Sequence, residues 1–211
     1  MRGVDLYRKG QINKNKPADI SSVVAILDHF FPLSEGIKDH FRKCSYTCSF
    51  RKGKLLLKAG EICEHIYFIK KGAVRGFIKE GKKDITTWIT AENEVVSSIS
   101  ALDARAPALE NMQAIENCEL IALTYNDFQD LYIKFPEFNI VARKVLQKYY
   151  QDAEGRAFIV RLTNAEKKYR LFITMYGHLA NRIPLKYIAS FLGITLETLS
   201  RVRKKLSLRG N

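Results

Sequence analysis

The densest chemistry in this 211-residue chain lies near its end. From Thr195 to Leu206, the apolar residues Leu199, Val202 and Leu206 recur at helical spacing, and around them stand Leu196, Glu197, Thr198, Ser200, Arg201, Arg203, Lys204 and Lys205. A helix that presents Glu and Arg near its start can read base edges. The Arg guanidinium forks onto O6 and N7 of guanine, and the Glu carboxylate accepts from the N4 amino group of cytosine. Farther along, Arg203-Lys204-Lys205 suits backbone phosphates, which position a protein without carrying sequence information. The candidate contacts to duplex DNA are therefore Thr195, Leu196, Glu197, Ser200, Arg201, Arg203, Lys204 and Lys205. Elsewhere the reactive side chains are dispersed. Of Cys44, Cys48, Cys63 and Cys118, only Cys44-x3-Cys48 has metal-ligand spacing, with no His or second Cys pair beside it, so all four read as reduced thiols. His29, His40, His65 and His178 are equally scattered, and spacing assembles no nucleophile, general base and phosphate or metal site. Neither a metal, a cofactor nor an enzyme activity is expected.

A reading helix needs a partner that fixes its angle. Pro184 suits a first helical turn, Leu185, Ile188, Ala189 and Leu192 follow at helical spacing, and Gly193 breaks the helix. Beyond apolar Ile194, Thr195 is a good N-cap for the next helix. Two helices crossing at about 90–120° over a tight turn need a small residue on the first, here Ala189, and a turn glycine four later, here Gly193. The pattern is a helix-turn-helix; an ordinary helical hairpin with a solvated basic face is the weaker alternative. Charge agrees with the first reading. Residues 136–211 hold 15 Lys/Arg against 5 Asp/Glu, net +10, whereas residues 1–135 hold 20 against 17, net +3. Such asymmetry points to a polyanion partner for the last third.

Upstream, residues 1–19 are polar, basic and aperiodic and read as a flexible extension. Val23, Ile26, Leu27 and Phe30, then Ile37 and Phe41, predict two short helices interrupted by Pro32. Between Leu55 and Leu123 the texture changes to β-rich runs: Leu55–Leu57, Ile66–Ile69, Val74–Ile78, Ile85–Ile89 and Leu120–Leu123. Turn signals at Lys52-Gly53, Ala59-Gly60, Lys71-Gly72 and Glu80-Gly81 pace them at about 8–12 residues, the rhythm of a small antiparallel roll or barrel. Thr124-x-x-Asp127 is a capping box for a helix through Phe128, Leu131, Tyr132 and Phe135 that Pro136 ends. A long helix to about Leu162 follows, with Phe138, Ala142, Val145, Tyr149 and Ala153 along one side. At ~1.5 Å per residue it spans roughly 36 Å, more than a small domain needs, and a helix of that length finds a second copy of itself or packs along its own chain. Thr163-Asn164-Ala165-Glu166 opens a further helix with an inner face of Tyr169, Phe172, Ile173 and Tyr176.

The chain resembles the Crp/Fnr family of transcription regulators over roughly residues 20 to 206. Phe50-x-Lys52-Gly53, Lys58-Ala59-Gly60-Glu61 and Ile66-Tyr67-Phe68-Ile69-x-x-Gly72 carry the resemblance in the β-rich part, and Ile194-Thr195-x-Glu197-Thr198-x-Ser200-Arg201 carries it in the last helix. The resemblance implies an α+β chain: an amino-terminal antiparallel β-roll of double-stranded β-helix (jelly-roll) type with flanking helices, a long dimerisation helix, and a carboxy-terminal helix-turn-helix. Its domains are then 20–136 for the cyclic-nucleotide-binding-like sensor, 137–162 for the dimer helix and 163–211 for DNA binding. Glu197 and Arg201 occupy the family's base-contacting positions, a homodimer reads two half-sites about one helical turn apart, and RNA polymerase is a further partner.

Two departures from the family stand out. The phosphate-binding cassette of its cyclic-AMP receptors falls on Val95 to Ala114, where Ser97-Ser98-Ile99 replaces Gly-Glu-Leu and Ala108-Leu109 replaces the Arg-Ser pair. A cyclic phosphate without its guanidinium loses charge-assisted bonds of roughly 1.5–3 kcal/mol each, which disfavours cyclic AMP. Ser97, Ser98, Arg105, Ala108 and Leu109 form the candidate effector pocket, with Arg105 as the substitute cation and the effector itself unknown. The chain also stops at Asn211, so the wing that often follows the recognition helix is truncated or absent. No apolar run reaches the ~18 residues of a membrane span and no secretory leader is evident, so a cytoplasmic protein without a membrane partner is expected. A second function stays open: a cyclic-nucleotide sensor module that acts on a protein partner through its basic tail.

Overall fold

Gly72 marks where the β-rich part folds back on itself. Its φ is 101°, and a Cβ there would lie 2.7 Å from the Asn117 carbonyl oxygen and 2.7 Å from Cys118 Sγ, so only glycine lets these two chain segments approach. The computed structural model describes residues 11–208. In chain order the elements are β1 (Gln11–Pro17), α1 (Ser21–Phe30), α2 (Glu35–Cys44), β2 (Tyr46–Phe50), β3 (Leu55–Leu57), β4 (His65–Lys71), β5 (Val74–Glu80), β6 (Lys83–Thr90), β7 (Val95–Val96), α3 (Ile99–Asp103), β8 (Asn111–Ala114), β9 (Cys118–Thr124), α4 (Tyr125–Lys134), α5 (Phe138–Arg161), α6 (Ala165–Tyr176), α7 (Leu185–Leu192) and α8 (Leu196–Ser207). The strands form a five-stranded sheet in the order β1-β2-β9-β4-β7 and a four-stranded sheet in the order β3-β8-β5-β6. The pairings β1–β2, β2–β9, β4–β9, β4–β7 and β3–β8 are antiparallel, as a roll requires.

Contacts gather the chain into two units. One contains the described residues up to Gly76 together with Thr90–Gln147. The other contains Phe77–Ile89 together with the chain from Lys148 onward. In the first, Leu120, Ile121, Ala122 and Leu123 of β9 are all buried, because the five-stranded sheet is covered on both faces. Side chains alternate along a strand, and Ile121 and Leu123 join Phe68 of β4 beneath the flanking helices. Val23, Leu27, Ile37, Phe41 and Leu131 complete that cluster, and the start of α5 supplies Phe138, Val141 and Ala142. Ser34 caps α2 by accepting from the Ile37 N–H at 3.5 Å, and Thr124 caps α4 by accepting from the Asp127 N–H at 3.2 Å, the capping box expected there.

Three expectations are corrected. Gln11–Pro17, assigned to a flexible extension, is a strand on the edge of β2, with Gln11, Ile12 and Asn13 opposite Ser49, Cys48 and Thr47; residues 1–10 lie outside the described residues. Backbone pairing of this kind needs no apolar period, so the side-chain pattern carries no sign of it. Short β2, β7 and β8, with polar Thr47, Ser49, Asn111 and Gln113, escaped for the same reason. The second correction concerns α5. Phe138, Ala142 and Val145 face the chain's own core, while Tyr149 is half-buried and Ala153 exposed. Finally, Asn164 rather than Thr163 caps α6, accepting from the Lys167 N–H at 3.0 Å, and Ile173, placed on the inner face, is exposed while Tyr169 and Phe172 are buried.

Candidate nucleic-acid interface

The second unit holds α6, α7 and α8 around buried Phe172, Leu179, Ile188, Leu192 and Leu199. Phe191 meets Phe172 and Tyr176 edge-on at 5.8 and 5.6 Å between ring centroids, an arrangement aromatic quadrupoles favour. Between α7 and α8, Gly193 sits at φ 61°, ψ 41°, and the Ile194 N–H returns to the Ala189 carbonyl at 3.1 Å, which turns the chain within a few residues. Thr195 Oγ1 then accepts from the Thr198 N–H at 3.2 Å and starts α8. The turn has a lock that no motif announced. Lys168 of α6 is buried, and its Nζ donates to the Leu192 carbonyl at 2.8 Å, satisfying one of the orphan acceptors at the end of α7. Its signal was a lysine four residues before Phe172, in the apolar stripe of α6.

On α8 the structure divides the expected contact residues. Thr195, Leu196, Glu197, Ser200, Arg201 and Lys204 are exposed. Hydrogen bonds from its own backbone N–H and from Thr195, with the Arg201 charge nearby, hold the Glu197 carboxyl below the usual range and keep it an ionised acceptor. Arg201 Nη2 donates to Thr198 Oγ1 at 3.2 Å, which leaves most of its fork available. Arg203 is occupied inside the domain: Nη1 donates to the Ala180 carbonyl at 3.2 Å, Nη2 to Asn181 Oδ1 at 3.3 Å, and the guanidinium lies 5.9 Å from the Tyr169 ring centre. Lys205 pairs with Glu166 at 2.8 Å, tying α8 to α6. The basic cluster read as phosphate contacts therefore splits, with Lys204 turned outward and its neighbours engaged in holding the helix in place.

Of the candidate effector residues, Ser97 and Arg105 both meet Cys63 and are already hydrogen-bonded. Arg105, in the left-handed region at φ 48°, donates to Glu64 at 2.7 Å and to the Cys63 carbonyl at 3.0 Å and lies 4.3 Å over the Tyr125 ring. Ser97 Oγ donates to the His65 carbonyl at 3.2 Å and meets Cys63 Sγ at 3.3 Å. Ser98 and Ala108 are buried, the latter bonded through its backbone to Gly60 and Glu61, whereas Leu109 is 86% exposed. A cation already matched by a carboxylate is a poor replacement for the cassette arginine. Arg75 is a further buried cation that no spacing or motif singled out: it is 2% exposed on β5, with Nε donating to Gln113 Oε1 at 2.9 Å.

Comparison with known proteins agrees with this architecture. The cyclic nucleotide-binding domain family matches residues 47–135, from β2 through α4. The fumarate and nitrate reduction regulatory protein of Yersinia pestis is 24% identical over 165 residues, covering 72% of this chain and 65% of that protein, so the chain spans just under two thirds of that relative. Over that length the chain is similar to a regulatory protein of this kind. Among solved Crp/Fnr structures, FixK2 from Bradyrhizobium japonicum superposes with a TM-score of 0.66 at 19% identity, covering 79% of this chain and 86% of its own. A CooA variant from Carboxydothermus hydrogenoformans gives 0.67 at 16% identity, covering 92% and 88%. The Crp/Fnr fold, a mixed α and β chain with antiparallel sheets and carboxy-terminal helices, is the fold of this protein. No helix among the described residues is long and apolar enough to cross a membrane.

Proposed function

We propose that this chain is a DNA-binding transcription regulator that works as a homodimer. The observation that carries the reading is the α7–Gly193–α8 turn, which leaves Glu197, Ser200 and Arg201 exposed at the start of α8, where a recognition helix meets base edges. Lys204 and Thr195 supply phosphate contacts beside them. The second copy docks along α5. Leu146, Tyr150, Ala153, Ala157 and Val160 recur at spacings of four and three, the a/d seam of a coiled coil, and Leu146, Tyr150 and Val160 are exposed large apolar groups. Seam and core stripe thus share one helix, and the residues on the dimer side are not those facing the roll. An effector bound in the roll would act through the paired α5 helices, and RNA polymerase is the further partner of such a regulator. The homology to regulatory proteins supports this class over an enzyme. The alternative, a cyclic-nucleotide sensor for a protein partner, has less support because Arg105 is matched to Glu64.

Selection from random duplexes tests the proposal directly. The wild type should enrich a two-half-site sequence, and Arg201→Ala should bind it about 10- to 100-fold more weakly, a loss of roughly 1–3 kcal/mol, with relaxed preference at one base step. Equal affinity and equal sequence preference in the variant would sink the assignment.

A further inference from the structure

We infer that the β5–β6 hairpin is a second DNA-contacting element, which brings Lys79, Lys82 and Lys83 to phosphates flanking the site read by α8. The inference rests on the DNA-binding reading above. Residues Phe77–Ile89 belong to the same compact unit as the helix-turn-helix, and Ser190 of α7 bonds to them. Strand β6 is an edge of the four-stranded sheet, so its outer N–H and C=O groups need partners from elsewhere. Ser190 of α7 serves one of each: its Oγ accepts from the Thr86 N–H at 2.9 Å and donates to the Asp84 carbonyl at 3.0 Å. A hydroxyl that donates and accepts along one strand edge fixes the hairpin against α7 in a defined register.

The side of α7 so used is the informative part. Ser190 follows Lys186 by four residues and shares its face, whereas Ile188, Ala189 and Leu192 are buried. In a helix-turn-helix the first helix crosses the DNA backbone while the second enters the groove, so an element fastened to the outer face of α7 is carried alongside the phosphates. Lys79, Lys82 and Lys83 are exposed on that hairpin, and among the described residues none of them makes an ion pair. Glu80 and Asp84 share the hairpin and leave residues 77–89 a net charge of only +1, so the contact comes from individual ammonium groups on long stems rather than from a bulk field.

The test is a salt titration on the selected duplex with long flanks and on the same duplex trimmed to the recognised site. The Lys79→Gln/Lys82→Gln/Lys83→Gln variant should flatten the slope of log K against log salt by roughly 0.9 for each phosphate no longer neutralised, on the long duplex only, with base preference unchanged. Ser190→Ala, which removes two of the bonds that hold the hairpin to α7 without touching its charge, should show part of the same flattening while melting like the wild type. A wild-type slope in the triple variant overturns the inference, as does tighter DNA binding by Ser190→Ala, which would mean that the hairpin masks DNA. Unaltered DNA binding combined with abolished transcription would make the hairpin a protein contact and overturn it equally. If the wild type itself binds no DNA, the regulator reading fails first, so the two failures are distinguishable.

Discussion

Lys168→Met asks whether the helix-turn-helix is held by its own turn or by α6. The Lys168 ammonium is buried and donates to the Leu192 carbonyl at 2.8 Å, where α7 has run out of backbone donors. Hydrogen bonds from charged donors contribute roughly 1.5–3 kcal/mol, and Met keeps the stem's packing while sparing the cost of burying a charge. The net loss should therefore lie near the low end, about 2 kcal/mol, and at roughly 2–4 °C per kcal/mol for a chain of this size the melting temperature should fall by about 4–8 °C. Thermal unfolding by circular dichroism measures that fall. Fluorescence anisotropy on the selected duplex measures the second consequence, an affinity roughly tenfold weaker, about 1.4 kcal/mol, because α8 is no longer held at one angle to α7. Lys168→Arg keeps a charged donor and should recover most of both. Unchanged melting together with unchanged DNA affinity in Lys168→Met would refute the reasoning and return the turn's geometry to Gly193 alone.

Three other outcomes follow from the same structure. Gly72→Ala forces a Cβ to 2.7 Å from the Asn117 carbonyl oxygen at φ 101°, and should destabilise the roll by more than about 2 kcal/mol in urea unfolding; a smaller change would show that the β4–β5 turn can relax. Leu146→Glu with Tyr150→Glu places charges on the proposed α5 seam and should convert dimers to monomers in sedimentation velocity with little change in protomer melting, since both residues are exposed in the single chain. Lys205 first, and then Arg170, hold the Glu166 carboxyl down to about 2, below its ordinary 4.5. Because the folded value is the lower one, this pairing stabilises fully above pH 4.5 and its contribution disappears as the pH falls toward 2. Acid titration of Glu166→Gln should therefore lose less stability across that window than the wild type, and parallel curves would count against the α6–α8 tie.

Much of this protein was legible in its residues because the signals were local. Helix α8 could be read from Thr195 as a cap, Gly193 as a left-handed break and the inner stripe Leu199, Val202 and Leu206, all set by backbone geometry within a few residues. The β-roll was legible in its glycine-paced apolar runs, since strands covered on both faces stay apolar throughout. What escaped has a common origin. β1 pairs through its backbone with a strand distant in the chain, Arg105 finds Glu64 across the α3 connection, and Arg203 reaches the Ala180 carbonyl beyond α7. Helical periodicity showed that α5 has an apolar side but not that Phe138 and Ala142 serve the chain's own core while Leu146 and Tyr150 remain uncovered. The sequence by itself determined the helices and the apolar strands, though not β1, β2, β7 or β8, and that the last helix is basic with Glu and Arg near its start, because caps, turns and side-chain types act over one turn of chain. Only the tertiary structure decided which charges are already matched and which still face solvent. Pairing of that kind depends on distances of a few ångströms between residues far apart in sequence, which no local pattern encodes.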